Sequence, residues 1–210
     1  MERIGTAFRL KRSQISLKRT GRSSESSFAG VAMSGFESFS AEEREALIWT
    51  GISIGLVQHA ESILKNALQL AFSPGSQMTL ESIASDETGL RRATLGRLLN
   101  ELRRRADIAP DFEAKLDEFL QHRNVFVHGL LLDPLFSWRT TDGRERLIGF
   151  LGALAGEATI VIRVMFSAVH AFAGRIAAAH EDLRIPELSD PAIAGWLFPP
   201  GQLDTILTRK

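Results

Sequence analysis

The sequence predicts an all-α fold, an up-and-down bundle of four main helices. Three observations predict it. Apolar residues recur at helical spacing in four separate segments. No segment sustains the period-two alternation of a strand. The connections are short to medium in length, which favours antiparallel packing of successive helices.

The first helix begins at Ser40. Ser40 and Glu43 make an S-x-x-E capping box ahead of an apolar run. The run continues to about Phe72 through Trp49, Ile52, Leu56, Val57, Ala60, Ile63, Leu64, Ala67, Leu68 and Ala71. At roughly 100° per residue these cover nearly half the helix, so it should have neighbours on two sides or also line a dimer. Ser73-Pro74-Gly75-Ser76 ends it. A short helix is expected over 77–85. The second main helix spans about Arg91–Ala106, with a stripe of Leu95, Leu98, Leu99 and Leu102 and a basic outer face of Arg91, Arg92, Arg97, Arg103, Arg104 and Arg105. The third runs from Pro110, well placed in a first turn, to His128, with Gly129 as its C′ residue. Residues 130–145 read as a long loop. A last apolar helical region covers about Arg146–Glu181, with a break expected near Ala155-Gly156. The pairs Gly51/Gly55 and Gly152/Gly156 point to close helix packing.

Three segments follow: a basic, Ser/Arg-rich arm over 1–39, the bundle over 40–183, and a mostly irregular, Pro-containing tail over 184–210. The arm holds eight serines and four glycines without a sustained apolar period, and is expected to be disordered. Its composition is shared with organellar transit peptides, but a basic arm, or a gene start placed upstream of Met33, is the preferred reading. The net charge of zero is a sum of opposites. Residues 1–22 carry seven basic side chains against one acid, a net +6, and the other 188 residues carry 18 against 24, a net −6. Neutrality therefore does not exclude a nucleic-acid partner. The chain has no cysteine, which removes disulfides, thiolate metal sites and a cysteine nucleophile. No stretch reaches the roughly 18 uncharged apolar residues of a membrane span. The expectation is a cytoplasmic protein without membrane attachment.

The chemistry concentrates in Phe119-Leu-Gln-His-Arg-Asn-Val-Phe-Val-His-Gly129. On a helix, Phe112, Leu116, Phe119, Leu120, Phe126 and Val127 form the core stripe, and Arg123 falls in its middle. A guanidinium there needs a carboxylate or a polar cavity, because an unpaired buried charge costs several kcal/mol. Asn124 and His128 are i and i+4, so the amide can hydrogen-bond the imidazole. His128 also sits in the last turn, where the helix dipole favours the imidazolium. An imidazole that titrates near neutrality suits proton transfer.

Arg123-Asn124-x-x-x-His128 followed by Gly129 resembles the motif of the HEPN superfamily, the higher-eukaryote and prokaryote nucleotide-binding helical domains. Ala93-Thr-Leu-Gly-Arg-Leu-Leu-Asn-Glu-Leu102 is similar to the second helix of many bacterial members, and the likeness covers about 41–182. The resemblance implies a four-helix bundle that dimerises through its motif helices. Many members are metal-independent ribonucleases of toxin–antitoxin or defence systems, while others only bind nucleotides or partners. It implies Arg123, Asn124 and His128 as the catalytic set. The arginines of the second helix, Arg97, Arg103 and Arg104 among them, read either as a solvated face or as a phosphate track leading to the site. The implied partners are RNA, a second copy and a nucleotidyltransferase-type antitoxin. No cofactor or metal is expected: His59, His170 and His180 lack ligand spacing. No P-loop, dinucleotide fingerprint or nucleophile elbow is present. The bland alternative is a structural Arg123 bonded to an acid of the bundle. Glu61, at the rim of the first helix's apolar arc, is one such acid, although a solvated Glu61 is the expectation. His122 is expected at the surface.

Overall fold

The computed structural model describes residues 39–72, 89–90, 92–130, 132–179 and 191–210. The arm over 1–38, the short helix expected over 77–85, and Arg91 and His180 lie outside the described residues. The fold is all-α in character. Residues Ser40–Lys210 form one unit, tail included.

Helix α1 spans Ala41–Leu70. Its capping box is closed in both directions: the Ser40 amide donates to Glu43 Oε2 at 2.8 Å, and the Glu43 amide donates to Ser40 Oγ at 3.2 Å. Helix α2 spans Leu95–Arg105, capped by the Thr94 side chain. A short strand β1, Ala106–Ile108, leads into α3, Pro110–Asn124. Helix α4, Thr141–Ala179, runs without the break expected near Ala155-Gly156. Neither residue forces one: Ala155 is buried in the core, and a helical glycine costs only about 1 kcal/mol relative to alanine.

The tail departs from the irregular segment expected of it. Pro191–Trp196 forms α5, Pro200–Ile206 forms α6, and Leu207–Arg209 forms β2. β2 pairs antiparallel with β1, Ala106 opposite Arg209 and Ile108 opposite Leu207. Three residues are too few to show an alternation, and the pairing joins segments about a hundred positions apart, so no local pattern announces it. Leu203 and Leu207 fasten the tail by burial in the core.

The helices do not alternate strictly up and down. Glu42 meets Arg144 at 2.8 Å near the N-termini of α1 and α4. Further along, the Ser53 hydroxyl donates to the Leu151 carbonyl at 3.2 Å, and Ala71 and Phe72 share a cavity wall with Ala168 and Ala171. α1 and α4 are therefore parallel. α3 runs back against both, with His122 against Glu157 and Leu130 against Leu147.

One core joins Leu64 and Leu68 of α1, Leu98, Leu99 and Leu102 of α2, Leu116 and Phe119 of α3, and Val161 and Met165 of α4. Among the described residues, α4 is the one helix long and apolar enough to cross a membrane by length and composition. Leu147, Leu151, Leu154, Ala158, Val161, Val164 and Met165 are buried against the other helices.

The glycines do not carry the close packing their spacing suggests. A Cβ added at Gly51, Gly55, Gly152 or Gly156 would meet nothing within 4 Å. The close approach falls at Gly143 instead, where a Cβ would stand 2.3 Å from the Ser137 carbonyl oxygen. Two alanine substitutions should therefore act with opposite signs. Gly143→Ala is expected to destabilise by about 1–3 kcal/mol through overpacking. Gly152→Ala is expected to stabilise by about 0.5–1 kcal/mol, since it fills open space and removes a helical glycine. Urea unfolding of both variants measures the difference.

Candidate functional site

The stripe that buries Phe112, Leu116 and Phe119 carries Arg123 one turn further along the same face of α3. Its side chain retains about 20% of its exposure, as does that of Glu61 on α1. Arg123 Nε donates to Glu61 Oε1 at 2.9 Å, and Nη2 lies 2.9 Å from the same oxygen. The expectation of a solvated Glu61 is thus corrected. A helix-rim position looks solvated until a cation from the facing helix leans onto it. Arg123 Nη1 donates to Asn124 Oδ1 at 3.4 Å. Of the five N–H groups of a guanidinium, two remain for another acceptor.

The α-helix does not continue to His128. The Val125 amide shares its hydrogen bond between the Gln121 and His122 carbonyls, and Val125–Gly129 then winds as a π-helix. Gly129 is not the left-handed C′ residue expected, because among the described residues only Gly89 has a positive φ. The π turn changes the geometry at the motif. On an ideal α-helix Arg123 and His128 would stand about 140° apart. A π turn takes in about one more residue per turn, so the angle of an ideal α-helix does not hold between Arg123 and His128. It also removes His128 from the i+4 position above Asn124. The expected amide–imidazole bond is not formed, and the amide turns to Arg123. His128 is exposed and has no hydrogen-bond partner among the described residues.

Between α1 and the end of α3 lies an open cleft of about 330 Å³, lined by Ile54, Val57, Gln58, Glu61, Arg123, Phe126 and Val127. Its walls are apolar toward Ile54 and Val127 and charged toward Glu61 and Arg123. Ile54 and Val127 stay 42% and 50% exposed, a large apolar area at the mouth of the cleft.

The arginines of α2 are placed elsewhere. Arg103 Nε donates to Glu113 at 3.0 Å and Nη2 to Asp117 at 2.6 Å, so it lies along the first half of α3. Those partners precede Arg123 by six and ten residues, about 9–15 Å along the helix axis. Arg104 is bound to Glu101 at 2.6 Å, and the guanidinium of Arg97 would lie 3.5 Å from a Cβ at Gly89. Arg105, counted on sequence grounds with the outer face, is buried instead. It bonds Glu101 and the carbonyls of Leu68 and Phe72.

A polar pair that the sequence did not announce lies on the other flank of α3. His122 Nδ1 is 2.8 Å and 3.0 Å from the two carboxylate oxygens of Glu157 on α4, with the edge of the imidazole against Phe150. His122 is therefore not a free surface residue. Its position one step from the Phe119 stripe was the available signal. Among the described residues no three His, Asp or Glu side chains gather as a metal-binding group.

Comparison of the chain with known protein families, with characterised proteins and with solved structures returns no match.

Proposed function

We propose that this chain is a HEPN-type, metal-independent endoribonuclease, toxin- or defence-like, acting in the cytoplasm as a homodimer built through its motif helices. The observation that carries the reading is the cleft beside Arg123. A half-buried guanidinium with unused donors stands at the edge of an open cavity, on the helix whose π-helical continuation carries His128. A π segment between the two residues adds support, since such segments are frequent at functional sites.

In the proposed reaction the ribose 2′-oxygen forms a bond to phosphorus and the bond from phosphorus to the 5′-oxygen breaks. Arg123 stabilises the charge that develops on the phosphoryl oxygens. His128 takes the 2′-OH proton or supplies one to the leaving 5′-oxygen, and its copy in the second protomer performs the other transfer. Asn124 holds Arg123, to which its amide is bonded, at the proper angle for the phosphate. The products are a 2′,3′-cyclic phosphate and a 5′-hydroxyl. The open space over Gly51 and Gly55 and the exposed Ile48 and Ile52 form an uncharged face of α1 suited to a second copy. An antitoxin of the nucleotidyltransferase type is the proposed regulatory partner. Arg97, Arg103 and Arg104 remain a proposed RNA path, with Arg103 reached through its exchange from Glu113 and Asp117.

A second reading has its own support: a helical module that binds nucleotide, RNA or a protein without turnover. Three N–H groups of Arg123 are already engaged by Glu61 and Asn124, which suits a binding site better than a freely poised catalyst. Incubation of purified protein with single-stranded RNA in EDTA separates the two. Cyclic-phosphate products support the enzyme, and salt-sensitive binding without cleavage supports the module.

A further inference from the structure

We infer that the cleft beside Arg123 is a subsite for one unpaired guanine base, an inference that rests on the reading of this chain as an RNA-binding enzyme or module. Its volume of about 330 Å³ is at the small end of small-molecule sites. Two helices build it. α1 contributes Ile54, Gln58 and Glu61, spaced four and three residues apart and therefore on one face. α3 contributes Arg123, and the π turn that follows it contributes Phe126 and Val127. The apolar half, Ile54, Val57, Phe126 and Val127, offers apolar packing surface for an unstacked base.

The polar half selects among bases. Arg123 engages Glu61 through Oε1, and among the described residues the second carboxylate oxygen has no partner. Nor has the exposed amide of Gln58, one turn away. The cleft therefore presents an acceptor-rich carboxylate beside an amide that both donates and accepts. Guanine is the one base whose Watson–Crick edge sets two donors, N1–H and N2–H₂, beside an acceptor, O6. The free Glu61 oxygen takes the donors and the Gln58 NH₂ group donates to O6. Adenine and cytosine each bring a single donor group flanked by acceptors that a carboxylate repels. Uracil brings one donor between two acceptors. With the base so held, the adjacent phosphate falls to the two unused donors of Arg123.

The test is calorimetric titration of the full chain with 3′-GMP, 3′-AMP, 3′-CMP and 3′-UMP at one ionic strength, beside an RNA cleavage assay in EDTA. The expected result is 3′-GMP bound about tenfold or more tightly than the others, the discrimination of one good paired contact. Gln58→Leu leaves the Arg123–Glu61 pair intact and is expected to reduce the preference to about threefold or less while phosphate-driven affinity persists. The NMR signals of the Gln58 side-chain amide should move with 3′-GMP and stay in place with 3′-UMP. Equal affinity for all four nucleotides, or a guanine preference unchanged in Gln58→Leu, overturns the guanine assignment. If cleavage in EDTA continues in that case, the ribonuclease reading stands without it. Neither binding nor cleavage by the wild type overturns both.

Discussion

Arg105→Ala is expected to lower the unfolding free energy by about 3 kcal/mol, a large share of the roughly 5–15 kcal/mol that stabilises a domain. The side chain is 7% exposed and does three things at once. Its Nη1 donates to the Leu68 carbonyl at 2.8 Å and the Phe72 carbonyl at 3.2 Å, serving acceptors at the end of α1 that lack helical partners. Its Nη2 stands 2.5 Å from Glu101, which turns the pair toward the seam between α1 and α2. Alanine removes the donors and leaves the carbonyls and part of the Glu101 charge under apolar cover, at about 1–3 kcal/mol for each group left unsatisfied. Arg105→Lys keeps the charge but loses the fork that reaches carbonyls and carboxylate together, and should recover less than half of the loss. Urea unfolding at pH 7 measures all three proteins.

The same cluster predicts an acid dependence. Hydrogen bonds from Arg104, opposed by burial and joined by Arg105, bring the Glu101 carboxyl down to about 2 from the ordinary 4.5. A depressed carboxyl contributes stability that is present above its unfolded value and lost as pH falls through its folded one. Glu101 should therefore hold its contribution above about pH 4.5 and lose it progressively toward pH 2. In Glu101→Gln that acid loss should be smaller, with lower stability at neutral pH. Parallel curves for wild type and variant between pH 2 and 7 would remove Glu101 from the account.

These residues show where the sequence was legible. Short-range rules were: the Ser40–Glu43 box, Pro110 in a first turn and the α3 stripe each follow from residues within a few positions. The stripe also required a carboxylate or a polar cavity beside Arg123, because its angle is set by the same periodicity as Phe119. Less legible was what is decided across the fold. Glu61, a candidate partner expected in solvent, was taken by Arg123 because α3 crosses α1 at that level, and Glu157 took His122 for the same reason on α4. Arg105 and Arg104 are neighbours in an identical run of arginines, yet one is buried and the other exposed. Helical phase separates them, but phase alone does not say which face meets α1. The π turn at Val125–Gly129 has no local marker that distinguishes it from a plain helix end. It nevertheless decides where His128 points.

On the proposed ribonuclease reading, Arg123→Ala and His128→Ala are each expected to lower kcat/KM for RNA about 100-fold or more, the ordinary cost of removing a charge-stabilising group or a proton-transfer group. Their effects on stability should differ, and that difference separates chemistry from architecture. His128 is exposed and unpartnered, so its loss should change stability by less than about 0.5 kcal/mol. Arg123 is bonded to Glu61, whose carboxylate keeps only about 20% of its exposure. Arg123→Ala strands that carboxylate, at about 1–3 kcal/mol. Adding Glu61→Ala removes the stranded charge and should restore much of the stability, because replacing both partners of a half-buried pair is far milder than removing one. A structural role for Arg123 predicts that function returns with stability in the double variant. A phosphate role predicts a stable protein far less active than Glu61→Ala alone, because no cation remains where charge develops in the transition state. Unfolding curves and single-turnover cleavage on the wild type, the three single variants and the double variant decide between the two. Full activity in the double variant would remove Arg123 from the reaction.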